Sequence, residues 1–159
     1  MATVNTRQMA YQAGISGPYG NGWKKKFTYQ TTAAGVAVNT DKATAVAAND
    51  IVRLGIVPAG VELHDALAIV SDAFTATTTA KIGFAYVDGV DDAAVPQDDD
   101  YFFAALNTAA TGRTRANNAA VRPVRLPKDA YLILTRTTAA DASVGVLDLI
   151  VEGENLGPA

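Results

Sequence analysis

The sequence contains no cysteine and only one histidine among its 159 residues. Without cysteine, disulfides, thiolate chemistry and cysteine-ligated zinc are excluded. Glu62, Glu152 and Glu154 are the only glutamates, and their spacing does not suggest a glycosidase acid–base pair. No serine lies in a G-x-S-x-G turn, and no phosphate-binding loop is present. The sequence therefore predicts no enzyme and no cofactor, and His64 is expected to lie at the surface or in an interface.

Positive charge and long apolar runs are also scarce. The formal net charge is −3, whereas nucleic-acid binding normally needs a basic face. The first residues, MATVNTRQMAYQAG, contain no long apolar run, so they predict neither a secretion signal nor a membrane span. Hydrophobic residues make up 49% and charged residues 18%, as in a globular protein. We expect neither nucleic acid nor a membrane as partner, and synthesis and folding in a cytoplasm.

The chain divides near residue 22. Residues 1–22 show neither a strand nor a helix period, and SGPYGNG consists of turn residues. We interpret 1–22 as an extended N-terminal arm outside the core, and 23–159 as one domain. Aromatic side chains supply large contact areas at interfaces, and lysines can meet an acidic partner surface. The predicted partner-binding residues of the arm and the adjacent basic patch are Arg7, Tyr11, Tyr19, Trp23, Lys24, Lys25 and Lys26.

Period-2 alternation dominates the rest of the chain. IVRLGIV and VELHDALAIV are joined by PAG, which predicts an antiparallel hairpin with Leu67 and Ile69 on the same inward face as Leu63. AYLILTRTT is apolar enough for a central strand, whereas the proline in VRPVRLP predicts an edge strand. About seven or eight strands indicate an all-β, jelly-roll-like antiparallel sandwich. The many alanines leave an α+β layout as the alternative.

The stretch VDGVDDAAVPQDDDYFF carries six aspartates in a short space. Asp98, Asp99 and Asp100 precede apolar residues at helical spacing, which predicts an aspartate-capped short helix near 99–110. The alternative is a calcium site, with oxygen ligands from this triplet and from the earlier aspartates of the loop. The spacing of an EF-hand is absent, so Asp98, Asp99 and Asp100 are only weak metal candidates, and we predict a solvated turn and cap.

Three segments together resemble a known class of protein: RLGIVPAGVELHDALAIVSDAFTATTTAKIGFAYVDG, DDDYFFAALNTAATGR and DAYLILTRTTAADASVGVLDLIVEGE. Between about Arg53 and Glu152 the chain is similar to capsid decoration, or cement, proteins of tailed bacteriophages, which have a β-sandwich or jelly-roll core. The resemblance implies a structural virion protein on the outer surface of a capsid. Its partner would be the major capsid protein, whose subunit contacts it would stabilise, and it would self-associate as a dimer or trimer after synthesis in the host bacterial cytoplasm.

Two other classes of function remain open at this point. One is a head–tail or tail structural component, which would be present in few copies per particle. The other is a carbohydrate-binding β-sandwich module, for which a row of exposed aromatic side chains is expected. Tyr101, Phe102 and Phe103 are consecutive rather than spaced along one strand face, which weakens that alternative.

Overall fold

A computed structural model describes residues 2–5, 21–119 and 122–157. These residues form ten strands and no helix, so the described part of the chain contains no helix that could span a membrane. The strands are β1 (Thr3–Asn5), β2 (Gly22–Thr31), β3 (Ile51–Val57), β4 (Val61–Asp72), β5 (Thr79–Tyr86), β6 (Asp98–Asn107), β7 (Gly112–Arg115), β8 (Val124–Arg125), β9 (Ala130–Arg136) and β10 (Gly145–Asn155).

The strands form two sheets. Sheet 1 has the order β1-β3-β9-β5-β6, and sheet 2 has the order β2-β10-β4-β7, with β8 also pairing with β4. All pairs are antiparallel except β1 with β3. Buried side chains from both sheets form one hydrophobic cluster. The predicted all-β sandwich is therefore confirmed, and the α+β alternative is wrong.

The strongest alternating segments occupy the centres of the sheets. In β10, the side chains of Leu147, Leu149 and Val151 are fully buried, while the intervening residues are half-buried on the other face. The apolar strand β9 lies third in the five-stranded sheet 1, and the short strand β8 lies beside β4 at an edge of sheet 2. The continuous apolar run thus predicted the central position of β9 correctly, and the proline predicted the edge position of β8.

The short helix predicted near 99–110 is wrong, because Asp98–Asn107 is strand β6. Its pairing with β5 is irregular: Ile82 opposes Phe103 and Phe84 opposes Asp98, so β6 carries extra residues in between. This bulge lets consecutive aromatic side chains, Tyr101 to Phe103, all become buried. The helical spacing of apolar residues here reflects the bulge rather than a helix.

The predicted hairpin of β3 and β4 is also wrong. The turn at residues 58–60 carries the chain from sheet 1 to sheet 2, so the two strands pair with different partners. In β4 the pairing skips His64: Glu152 opposes Asp65, and Gly153 opposes Leu63. Each skipped residue reverses which face later side chains occupy. Leu67 and Ile69 therefore face outward, and Ala66 and Ala68 face the core.

The first described residues belong to the sandwich. Val4 lies in β1 and is fully buried within the hydrophobic cluster. The expectation that nothing before residue 23 enters the core therefore does not hold for Val4. The division into an arm and a domain stays a prediction, because residues 6–20 lie outside the described part of the chain.

Candidate partner-binding surface

The predicted partner-binding residues fall into two groups. Arg7, Tyr11 and Tyr19 lie outside the described residues. The other four, Trp23, Lys24, Lys25 and Lys26, lie on β2, the strand at one edge of sheet 2. Trp23 is only 5% exposed and belongs to the hydrophobic cluster, so it stabilises the domain from within.

Lys25 alternates with its two lysine neighbours and points between the sheets. Its ammonium lies 5.0 Å from the ring centroid of Phe27 and donates a hydrogen bond to the carbonyl oxygen of Ile56 on β3, at 3.4 Å. Burial lowers the pKa of Lys25. An inward-pointing lysine on an edge strand opposes uncontrolled strand pairing. Lys25 therefore connects the two sheets at their edge.

Lys24 and Lys26 lie on the outer face of sheet 2. Lys24 Nζ is 2.6 Å from Glu152 Oε1, and Lys26 Nζ is 3.4 Å from Asp148 Oδ1. Arg115 on β7 approaches the same column of acidic residues from the other side, with its Nη2 3.9 Å from Glu152 Oε2. Exposed ion pairs of this kind contribute about 0–1 kcal/mol each, so a partner can replace them at small cost.

Three aliphatic side chains lie between these charges. Leu67 and Ile69 on β4 and Ile150 on β10 are half-buried and stand outside the hydrophobic cluster, with Ile150 directly opposite Leu67. An apolar centre surrounded by charged side chains is the usual anatomy of a protein interface. We call these three residues and the surrounding Lys24, Lys26, Asp148, Glu152 and Arg115 the outer patch. The sequence prediction missed its apolar part because it assigned Leu67 and Ile69 to the core.

The Asp98–Asp100 triplet opens β6, and one ligand oxygen from each carboxylate lies within 4.8 Å of the others. Lys81 on β5 lies beside it, with its Nζ 3.3 Å from Asp99 Oδ1 and 3.8 Å from Asp100 Oδ2. Burial and the neighbouring Asp98 raise the pKa of Asp100. Lys81 thus places positive charge beside the three carboxylates. A calcium site was the weaker alternative in the sequence analysis, and it remains untested.

The preceding aspartates make turn hydrogen bonds. Asp88 Oδ1 accepts from the backbone N–H of Val90 at 3.0 Å, and Asp91 Oδ1 accepts from that of Gln97 at 2.7 Å. Asp92 Oδ1 accepts from Ala94 N–H at 2.9 Å. Short polar side chains that bond to backbone a few residues on are typical of turns. Turn chemistry thus explains the density of aspartate in this loop, as predicted.

His64 lies at the skipped position of β4. Its Nε2 is 2.9 Å from Glu62 Oε1, and it borders a pocket of about 110 Å³ together with Asp65, Tyr101 and Arg122. The Tyr101 hydroxyl donates to the carbonyl oxygen of Arg122 at 2.9 Å. Drug-sized ligands occupy clefts of about 300–1,000 Å³, so this pocket is small for a substrate. The side chain of His64 is partly exposed, in agreement with its predicted surface position.

A buried ion pair joins the two sheets at the C-terminal end of β9. Arg136 and Asp141 have fully buried side chains, and Arg136 Nε donates to Asp141 Oδ2 at 3.0 Å. The Tyr29 hydroxyl on β2 donates to the same oxygen at 2.6 Å, and Arg136 Nη1 donates to Thr108 Oγ1 at 2.6 Å. Burial raises the pKa of Asp141, and Arg136 and Tyr29 oppose that shift. No sequence motif indicated this pair.

Two carboxylates hold β1 in place. Asp50 Oδ1 accepts from the backbone N–H of Ala2 at 2.8 Å, and Asp41 Oδ1 accepts from that of Asn5 at 2.8 Å. The bonds from Asn5 lower the pKa of Asp41. For Asp50, burial acts in the opposite direction, but the bonds from Lys42, Ala47 and Ala2 outweigh it and lower the pKa. Both carboxylates therefore favour β1 in their ionised form.

We expect acid to release β1. The folded pKa of Asp41 and of Asp50 lies below the ordinary 3.8. The stability that the two carboxylates give to the docked β1 is therefore present above pH 3.8, and it is lost as the pH falls through the folded pKa values. The methyl resonances of Val4 in an NMR titration report the release. Asp41→Asn, which cannot ionise, should loosen β1 already at neutral pH and flatten the titration. Unchanged Val4 resonances after both carboxylates are protonated would contradict the anchoring role.

Comparisons with known proteins address the whole chain. No family model and no curated protein matches it. Among solved structures, a chain from the capsid of Ralstonia phage GP4 superposes with a TM-score of 0.68 at 18% sequence identity, over 99% of this chain and 100% of that chain. The chain shares its fold with a phage capsid component. A second structure, an acid-stable capsid of Helicobacter pylori bacteriophage KHP30, matches with a TM-score of 0.47 at 15% identity, over 83% of this chain and 92% of that chain.

The shared fold extends over both sheets and both sandwich ends. The aligned region includes 99% of this chain, so both sheets belong to it. At 18% identity, few of the side chains are the same, so the likeness concerns the path of the backbone.

Proposed function

We propose that this protein is a structural component of a bacteriophage virion that binds the outer surface of the capsid and stabilises contacts between major capsid subunits. The observation that carries the proposal is the full-length match with a chain of the Ralstonia phage GP4 capsid. The resemblance of Arg53–Glu152 to decoration proteins points to the same role. The major capsid protein is the proposed partner, and self-association as a dimer or trimer would place the protein on a symmetry axis.

The strand order supports assignment to the jelly-roll class. Sheet 2 runs β2-β10-β4-β7, and four strands of sheet 1 run β3-β9-β5-β6. Eight antiparallel strands in two four-stranded sheets, with connections that cross repeatedly between them, describe a jelly roll, an architecture common among viral capsid domains. In this assignment, β1 is an addition at the edge of sheet 1, and β8 is an addition beside β4.

The outer patch is the proposed contact surface within the described residues. Its ion pairs are exposed and can be exchanged for pairs with a partner, while Leu67, Ile69 and Ile150 offer apolar area to bury. Arg7, Tyr11 and Tyr19 are proposed to extend this contact from the arm. The carbohydrate-binding alternative needs exposed aromatic side chains, whereas Tyr101, Phe102 and Phe103 are all buried.

Binding to shells tests the proposal directly. Purified protein is mixed with expanded capsid shells that lack it, and the amount that sediments with them is quantified. Saturable binding at hundreds of copies per shell is the expected result. Saturation at only a few copies per shell, as in a ring, would favour the head–tail or tail alternative. No binding to shells would overturn the proposal.

Reversing two charges in the outer patch should weaken this binding. We expect the double variant Lys24→Glu and Lys26→Glu to bind shells about tenfold or more weakly, because it presents like charge to an acidic partner surface. Lys81→Glu is the matched control, since Lys81 also pairs with two acidic residues but lies on sheet 1. Equal binding by both variants, with similar unfolding midpoints, would exclude the lysines of the outer patch from the contact.

A further inference from the structure

The site that holds β1 is built by one short stretch of the chain. Thr3, Val4 and Asn5 pair in parallel with Ile51, Val52 and Arg53 of β3. The Ile51 N–H donates to the carbonyl oxygen of Ala2 at 3.0 Å, and the carboxylates of Asp41 and Asp50 accept the two flanking backbone N–H groups. All of these groups come from residues 41–53. We call this site the β1 groove.

The β1 groove also recognises side chains. Asn5 Nδ2 donates to Asp41 Oδ2 at 2.5 Å, and Arg53 Nη1 donates to Asn5 Oδ1 at 3.5 Å. Val4 between them is fully buried. Asp50 is itself oriented by the backbone N–H of Ala47 at 2.9 Å and by the ammonium of Lys42. The groove thus contacts the side chains of both Val4 and Asn5, and Asp50 is also held by contacts that do not involve β1.

The connection from β1 to the rest of the chain is longer than its endpoints require. Asn5 pairs with Arg53, and Phe27 of β2 lies against Gly55 two residues further along β3. Gly22 starts β2 five residues before Phe27, which is about 17 Å of extended strand. The sixteen residues 6–21 can span up to about 55 Å when extended. A segment of that length leaves room for β1 to pair with β3 of a second copy of this chain.

We propose that the β1 groove exchanges its strand between copies of this chain, so that residues 2–5 of one molecule pair with β3 of the next. Every contact of β1 described above is the same whichever copy supplies the strand. The choice between the two arrangements then depends on local concentration and on the connecting segment. Exchange is a property of the chain itself and does not require the capsid role.

The absence of cysteine allows a clean test in solution. Thr3→Cys and Ile51→Cys are made in separate proteins, because these two positions face each other in the β1–β3 pair. One protein carries a size tag, and the two are mixed over a range of concentrations and treated with a short dimaleimide. We expect a cross-linked heterodimer whose yield rises with concentration and exceeds that of the control pair by fivefold or more.

The control pair combines Thr3→Cys with Gln30→Cys, since Gln30 is exposed on β2 and does not oppose β1. A single chain with both Thr3→Cys and Ile51→Cys verifies that the groove can be cross-linked. Asn5→Ala in the Thr3→Cys protein should lower the heterodimer yield several-fold by removing the side-chain contacts with Asp41 and Arg53. Efficient cross-linking within the single chain, with a mixed-pair yield no higher than the control at every concentration, would overturn the exchange.

Discussion

Asp141→Ala is expected to lower the free energy of unfolding by about 3–5 kcal/mol. The change removes the only acidic partner of the buried Arg136 guanidinium among the described residues and leaves that charge in a low-dielectric core. It also removes the acceptor of the Tyr29 hydroxyl. A buried charge without a partner is among the costliest defects a core can carry, whereas the intact pair adds little net stability over an apolar replacement.

Urea denaturation of the wild type and the variant measures the difference, and two further variants separate its causes. Lys24→Ala breaks an exposed ion pair and should cost about 1 kcal/mol or less. Arg136→Met combined with Asp141→Leu removes both charges and should recover much of the loss of Asp141→Ala. If Asp141→Ala costs no more than Lys24→Ala, the pair does not carry its charge in the folded state.

Gly153→Ala is expected to lower the free energy of unfolding by about 3 kcal/mol. This is the upper end of the usual cost of adding atoms to a close-packed site. A Cβ atom at Gly153 would lie 2.1 Å from the carbonyl oxygen of Glu62, which is backbone and cannot rotate away. Gly153 lies where the pairing of β10 with β4 skips His64, and β10 is a central strand of sheet 2. The substitution therefore forces apart the main ladder of that sheet.

Gly112→Ala is the matched control for this prediction. Gly112 also lies in a strand of sheet 2, but no atom lies within 4 Å of the position of its added Cβ. Its midpoint of thermal unfolding should remain close to that of the wild type or rise slightly, because alanine restricts the unfolded chain. A similar loss for both variants would mean that the effect arises from strand propensity and not from the close approach to Glu62.

The position of the buried ion pair has a consequence for the proposed virion role. Arg136 and Thr108 belong to the side of sheet 1, while Tyr29 belongs to sheet 2, so the network ties the two layers together at one end. The outer patch is on the exposed face of sheet 2 and shares no residue with this network. Variants of the two regions can therefore separate loss of folding from loss of shell binding.

Most of the strands were predictable from local pattern. Alternation in SVGVLDLIVEGE identified the inward residues of β10, because a strand buried on one face needs an apolar side chain at every second position. The apolar run AYLILTRTT identified β9 as central, and a proline identified β8 as an edge strand. The absence of cysteine and the scarcity of histidine and glutamate likewise limited the chemistry without any structure.

The errors concern the points where one strand must fit another. A skipped residue at His64 turned Leu67 and Ile69 outward, and the bulge in β6 gave its apolar residues a helical spacing. The turn at residues 58–60 crosses between sheets, although its sequence is equally suitable for a hairpin. In each case the local sequence is compatible with two arrangements, and the partner strand selects one.

The sequence by itself therefore determined the fold class, the central strands and the chemistry that is excluded. Pairing between distant segments decided the bulges, the sheet to which each strand belongs and the residues that reach the surface. The outer patch, the β1 groove and the Arg136–Asp141 pair arise only from that pairing, since Lys26 and Ile150, or Asn5 and Asp41, are far apart along the chain. Local periodicity carries no information about such contacts, because it is set by neighbours two residues away.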